Sequence, residues 1–321
     1  MAITLKQLAH ARALAHHRNF REAALALNLT QPALTRSIQS LECSLGTTLF
    51  DRLASGVEPT EIGKILLGRA EKILSDTREL EREMGLLRGH QAGSLTIAIG
   101  PYPACELAPR AVAGCLERIP DLHCRLLIAP WKDSIRLLLD RECELAVAEL
   151  SAASGDARFA ATALGRDPLH FVCRASHPLA ALRRPTLAQV TAYPLAAARV
   201  PARLAPVFSR SPRAGCVDAV TGDFLPALQV ESVAAAIGIV MSSNAVTAVP
   251  LGLVESQLRS GQLVALDVPR NPLCLDSAVI QLRDRTLSPA AKLLLGELVR
   301  VKEDMSARDA QLREHFHTRR S

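Results

Sequence analysis

Between Thr4 and Gly46 the chain starts and stops three short helices so close together that few arrangements remain open to it. Thr4 with Gln7 fits a capping box, and Leu5, Leu8, Ala11 and Ala15 follow at helical spacing, which predicts a first helix to about His17. Asn19 with Glu22 is a second start signal, with Ala23, Ala24 and Leu27 on the inner face of a short helix. Thr30 is expected to cap a third helix with Pro32 in its first turn, where a missing N–H costs nothing. Leu34, Ile38, Leu41 and Leu45 form its buried stripe and Gly46 ends it. The tight turn between the second and third makes a helix-turn-helix unit. With Leu34 and Ile38 inward, the outer face carries Gln31, Thr35, Arg36 and Gln39. Gln can pair with adenine and Arg with guanine, so this face suits a major groove, although the same residue types also make ordinary solvated faces.

Bulk properties narrow the setting. The 321 residues, 49% hydrophobic and 22% charged, predict two or more globular units with real cores. The longest apolar runs, such as Val233 to Met241, stop far short of the roughly 18 residues a bilayer span needs. The first six residues do not read as a signal peptide, so a cytoplasmic protein is expected. A net charge of +6 permits polyanion binding, and only 3% aromatic residues argues against base-stacking recognition of single strands, leaving duplex DNA as the better partner. The eight cysteines, spread from Cys43 to Cys274 without CxxC or CxxH spacing, read as reduced core thiols rather than metal ligands, with a redox pair as the open alternative. No cofactor is predicted.

The string Phe20-Arg21-Glu22-Ala23-Ala24, Leu27 to Arg36, Leu41-Glu42, Leu45-Gly46, Leu49-Phe50-Asp51-Arg52 and Thr60-Glu61-Ile62-Gly63 closely resembles the DNA-binding domain of LysR-type transcriptional regulators. The resemblance implies a winged helix-turn-helix over 1–60, with Thr30, Gln31, Pro32, Thr35 and Arg36 facing DNA from the recognition helix and Arg52 from the wing. Gln39 joins them on the pattern of the helix face. Where many members carry a second basic wing residue this chain has Ser55, and Glu58 adds a negative charge, which implies a lighter grip on phosphate.

From Thr60 to about Arg88 the absence of proline predicts a helix about 42 Å long at 1.5 Å per residue. Leu66, Ala70, Ile73, Thr77, Leu80, Met84 and Leu87 alternate steps of four and three, a seam for pairing two such linker helices over 61–89. Paired reading heads predict inverted half-sites in the operator. The resemblance extends this to a homotetramer and to contact with RNA polymerase.

Gly89 to Gly93 reads as a hinge. Strands at 94–100, 122–129 and 144–148 then alternate with helices at about 105–118 and 134–140, which predicts βαβ units and a mostly parallel sheet. A second half opens near Leu169 to Cys173, and the motif His177-Pro178-Leu179-Ala180 resembles LysR-type effector domains. The fold class is therefore multidomain α+β: the winged unit, the linker helix, and an effector domain at 90–304 similar to periplasmic binding proteins. Its first subdomain spans about 93–161 and 269–304 and its second about 162–268, with crossing strands near 161–165 and 265–269. Residues 305–321 are polar and read as a disordered tail.

Ligands in such sheets bind beyond the carboxyl ends of strands. That rule selects Pro101, Tyr102, Pro103 and Ala104 after the first strand, Trp131 after the second, Glu149 after the third, and Ala198, Arg199 and Thr247 from the second subdomain. The expected effector is a small, anionic metabolite, although Pro, Tyr and Pro stand where carboxylate-binding members carry Ser or Thr. No catalytic nucleophile, phosphate loop or metal cluster appears, so a non-enzymatic regulator leads. An architectural DNA-binding dimer without ligand response, and a solute-binding or enzymatic domain with an accessory DNA-binding head, stay open.

Overall fold

Thr4 caps α1 (Leu5–His17) through a capping box with Gln7, and the Asn19 carboxamide oxygen accepts from the N–H groups of Arg21 and Glu22 at the start of α2 (Phe20–Ala26). Asn28 turns the chain with a left-handed φ of 54°, and α3 (Gln31–Leu45) begins three residues later. Thr30 sits at the N-cap of α3, but its hydroxyl makes no capping bond, contrary to expectation. The reason is Pro32, which has no N–H to offer at the second helical position, while the Ala33 N–H goes to the Thr30 carbonyl. Gly46 closes α3 at φ 66°. A hairpin of β1 (Phe50–Leu53) and β2 (Gly56–Pro59) follows, then α4 (Glu61–Leu87), whose first turn the Thr60 hydroxyl caps at Gly63 N–H.

These elements belong to the first of two units, Met1–Gln91 and Ala92–Ser321. The computed structural model describes residues 3–53, 56–87, 94–208 and 211–318. Ser55, the expected hinge at 89–93 and the last three residues lie outside the described residues, as do the Arg52, Leu87 and His317 side chains.

Leu14, Leu34, Leu41 and Leu49 are completely buried and form the centre of the first unit. The expected seam on α4 divides. Ala70 is buried and Leu66 packs on the unit's own core, whereas Ile73, Leu80 and Met84 stay exposed, joined by Ile62 and Ile65. Leu66 and Ala70 of the expected seam are taken up by the domain that precedes α4, so the exposed part of that seam begins at Ile73.

The second unit opens with β3 (Ser94–Ile99), α5 (Leu107–Leu116), β4 (His123–Ile128), α6 (Trp131–Leu139) and β5 (Leu145–Glu149). β6 (Phe159–Pro168) leads into β7 (His170–Arg174), α7 (Leu187–Thr191), β8 (Ala196–Ala197) and α8 (Ala205–Phe208). Short strands β9 (Gly215–Val217), β10 (Phe224–Pro226) and β11 (Leu228–Gln229) precede α9 (Val233–Ser242), β12 (Thr247–Val249), α10 (Glu255–Arg259) and β13 (Leu263–Ala265). β14 (Cys274–Leu282) and α11 (Pro289–Thr318) complete the chain.

One sheet has the order β4-β3-β5-β14-β6, with β3 parallel to β4 and β5 and with β14 antiparallel to both its neighbours. The other, β12-β7-β13, is antiparallel throughout, so the mostly parallel expectation holds only for the first three strands. Alternation on β7 sends Phe171 and Cys173 into one apolar layer and Val172 into the opposite one, the period-two signature of a strand buried on both faces. The chain crosses between the two lobes at 168–169 and 273–274, not near 161–165 and 265–269. β6 and β14 run on as one antiparallel pair as far as Pro168 and Cys274, and the Leu169 N–H reaches the Leu273 carbonyl just beyond.

The expected disordered tail is helical. α11 packs on α5 through Leu294, Leu298 and Val301 and then continues to the second lobe. There Leu312 is buried with Leu251, Val254 and Leu258, the Asp309 carboxylate accepts from Gly252 N–H at 2.9 Å, and Arg308 bridges Glu106 and Glu255. A polar composition concealed the spacing Leu298, Val301, Met305, Leu312, which is helical to its end. Three cysteines (115, 143 and 173) are buried, but Cys43, Cys105 and Cys216 are exposed, so the core-thiol expectation holds only in part. Burial pushes the Cys115 thiol up to about 11 and the Cys143 thiol up to about 12.

Candidate functional site

In the first unit the inner stripe of α3 is anchored at Leu34, Ile38 and Leu41, which fixes what faces outward. Ser37 and Ser40 bond back to α1: the His10 ring Nδ1 lies 2.7 Å from the Ser37 hydroxyl, and the Gln7 carboxamide donates to the Ser40 hydroxyl at 3.3 Å. Burial lowers the His10 pKa below 6.5, with Lys6 adding to the effect. The opposite face presents Thr30, Gln31, Pro32, Arg36 and Gln39 to solvent with Thr35 half-buried among them. Among the described residues the side chains of Gln31, Thr35, Arg36 and Gln39 make no hydrogen bond or ion pair. The first turn of α3 contains no carboxylate, so the positive end of the helix dipole is uncompensated there.

The wing is held to this helix by contacts that the sequence reading missed. The Glu42 carboxylate accepts from the N–H groups of Leu49 (2.7 Å) and Phe50 (3.3 Å), and Val57 N–H donates to the Arg18 carbonyl. Gly56 has φ 132° and no room for a β-carbon, which would stand 2.8 Å from that same carbonyl. Arg52 lies on β1 opposite Val57, and Glu58 faces Arg18 at 3.8 Å. The Glu42 signal was within reach: a carboxylate on the last turns of a helix, eight residues before a strand.

In the second unit, seven of the nine expected effector residues line one cleft between the lobes: Pro101, Tyr102, Pro103, Trp131, Glu149, Ala198 and Arg199. Its empty volume, open mouth included, is about 720 Å³. Ala104 does not line it. Its N–H closes a turn on the Gly100 carbonyl at 3.1 Å, which puts it behind the wall. Thr247 is also absent, because it is buried within the second sheet in register with Val172. Val200, the neighbour of Arg199 in the expected segment 198–200, lines it too, and Leu204, Leu169, Leu275, Ser277 and Glu231 do so without having been expected. Several come from the chain crossings, whose positions depend on long-range strand pairing.

Charges in and around the cleft are satisfied in pairs, those of Arg203 and Lys132 running across it. Arg203 forks onto Glu149 with distances of 2.8 and 2.9 Å and donates to the Cys274 carbonyl, and this partner raises the Arg203 pKa. Lys132 on α6 meets Asp223 of the second lobe at 2.6 Å, and Asp223 is nearly inaccessible. Arg199 stands 3.6 Å from Asp223 and 3.9 Å from Asp218. The Tyr102 hydroxyl donates to the Ala248 carbonyl at 3.1 Å, and burial pushes its pKa up to about 12. No helix among the described residues is long and apolar enough to cross a membrane.

Comparison with known proteins adds to this geometry. Residues 5–64 match the family model of the bacterial regulatory helix-turn-helix protein, lysR family, and residues 88–302 match that of the LysR substrate binding domain. The chain is 35% identical over 296 residues to the SDS degradation transcriptional activation protein of a Pseudomonas species, covering 91% of this chain and 94% of that one. It is 30% identical over 301 residues to the HTH-type transcriptional regulator GbpR of Azospirillum brasilense, covering 93% and 86%. The crystal structure of CbnR, a LysR family transcriptional regulator, is similar in fold, with a TM-score of 0.63 at 20% identity over 94% of this chain and 99% of that one.

Proposed function

Because the chain belongs to the LysR family of DNA-binding transcriptional regulators, we propose that Gln31, Thr35, Arg36 and Gln39 read base edges in the major groove. Thr30 and Pro32 set the approach of the helix, and Arg52 holds phosphate from the wing. The observation that carries this reading is the row of exposed donors on α3 that nothing within the unit engages, above a core that fixes their direction. The exposed stripe Ile73, Leu80 and Met84 on α4 pairs two copies, so that two reading heads meet inverted half-sites. Tetramer assembly and contact with RNA polymerase follow the family pattern, and the protein acts in the cytoplasm by binding rather than by catalysis.

A small molecule in the cleft lined by Pro101, Trp131, Glu149 and Arg199 shifts the reading heads on DNA. The Pseudomonas relative named for activating SDS degradation supports a degradative gene as the target. Retardation of the DNA flanking the protein's own gene at low salt tests the reading. The expected result is a footprint with twofold symmetry, and absence of any retarded fragment refutes it. Arg52→Ala is expected to weaken binding to all sequences alike and to lower the salt slope by about one.

A further inference from the structure

An anion between two α/β lobes is ordinarily met by free N–H groups at a helix start or by a cation. The loop after β3 provides few such groups. Pro101 and Pro103 have no N–H, and those of Ala104 and Cys105 are taken by the carbonyls of Gly100 and Tyr102. The cations at the cleft are engaged as well: Arg203 with Glu149, Lys132 with Asp223, and Arg199 with Asp218 and Asp223. Glu231 adds a further carboxylate to the lining, so three cations face four carboxylates. The start of α6 at Trp131 has no side-chain cap but already carries Asp133 in its first turn, so a carboxylate or sulfate entering here meets a helix end that holds a negative charge and no unpaired cation, and displacing a formed pair is costly.

The remaining surface is mainly apolar, with Pro101, Trp131, Val200, Leu204 and Leu275 around it. One polar group in it lacks a partner. Ser277 on β14 is only 7% exposed and lines the cleft, and its hydroxyl makes no hydrogen bond among the described residues. A hydroxyl both donates and accepts, which matches an uncharged head.

We propose that the effector is an uncharged molecule with an apolar body and a single hydroxyl or carbonyl head held at Ser277, and that the cleft discriminates against carboxylates and sulfates of the same body. This inference rests on the regulatory reading and names the ligand class of its cleft. Trp131 is the single tryptophan of the chain and stands in the cleft wall, so its emission reports occupancy. The full-length protein is titrated with 1-decanol, decanoate and decyl sulfate, and separately with benzyl alcohol and benzoate. At least one alcohol is expected to shift Trp131 emission with a Kd at least tenfold below its anionic counterparts. Ser277→Ala is expected to weaken that alcohol about three- to tenfold, the loss of one hydrogen bond, with the melting temperature of the free variant as a control for folding. An anion that binds as tightly as its alcohol, an unchanged alcohol affinity in a folded S277A, or silence of Trp131 toward every probe overturns the proposal. Operator retardation by the ligand-free protein, measured on the same preparations, separates this failure from failure of the regulatory reading.

Discussion

The outer face of α3 and the cleft of the second unit treat polar groups in opposite ways. On α3 the donors of Gln31, Arg36 and Gln39 are exposed and bonded to nothing among the described residues. In the cleft, Arg199, Arg203 and Lys132 are already matched to carboxylates. The difference follows from what each surface must meet. A hydrated donor waits in water at little cost and exchanges water for phosphate or base edge on contact. A charge beside an apolar cavity is only partly hydrated, and here the protein itself supplies the opposite charge. One surface is therefore built with its charges open to a partner, and the other has its charges matched before its guest arrives, leaving the Ser277 hydroxyl unpartnered among the described residues.

The largest test removes the support beneath the first surface. Leu34→Ala empties a fully buried position and is expected to cost about 2–5 kcal/mol of the first unit's stability. Operator binding should vanish while Trp131 emission stays native, and simultaneous loss of both would break the division into two units. Glu149→Ala should act the other way around. Leaving Arg203 without its carboxylate is expected to destabilise the second unit by about 1–3 kcal/mol in urea melts, with ligand-free operator affinity unchanged. Arg36→Ala and Gln31→Ala should leave stability alone and each remove about 1–3 kcal/mol of discrimination between operator and mismatched DNA, measured by competitive retardation.

The smallest effect is one of pH. His10 in the first unit and His177 in the second both have their pKa lowered below 6.5, chiefly by burial. His177 accepts from Leu179 N–H at Nδ1, and its Nε2 lies 3.1 Å from the Asn244 carbonyl, an arrangement that requires the neutral ring. With the folded pKa below the unfolded one, the stability contributed is fully present above 6.5 and is lost as pH falls through the folded value. Both units are expected to melt earlier at pH 5 than at pH 7.5. His10→Gln should flatten that dependence in the first unit alone and His177→Gln in the second, as read by urea midpoints.

Most of the first unit was legible in the sequence because its signals are local: Thr4 with Gln7, Asn19, Thr60 and Gly46 each act within four residues of themselves. What escaped was tertiary, namely the reach of Glu42 to the wing and the burial of Ala70, which removes it from the pairing stripe. In the second unit the strands after Ser94 were legible as buried runs, and seven of the nine residues chosen by the strand-end rule do line the cleft. It failed for Thr247, whose burial between strands depends on pairing with β7, a partner about 75 residues away in the chain. The lobe crossings escaped for the same reason, and Leu169 and Leu275 with them. The tail misled because composition was weighed above spacing, and Leu312 alone among polar neighbours gives no hint of the apolar layer that receives it.

The continuity of α11 limits how the two lobes can move. A rod rooted in one body by Leu294, Leu298 and Val301 and in the other by Asp309 and Leu312 acts as an axle rather than a hinge pin at an open edge. Swinging the lobes apart like jaws requires the rod to bend or its far end to be extracted, besides breaking the pairs Arg203 with Glu149 and Lys132 with Asp223. The two lobes therefore share a structural member besides their paired strands, and any change in their closure has to be absorbed along its length.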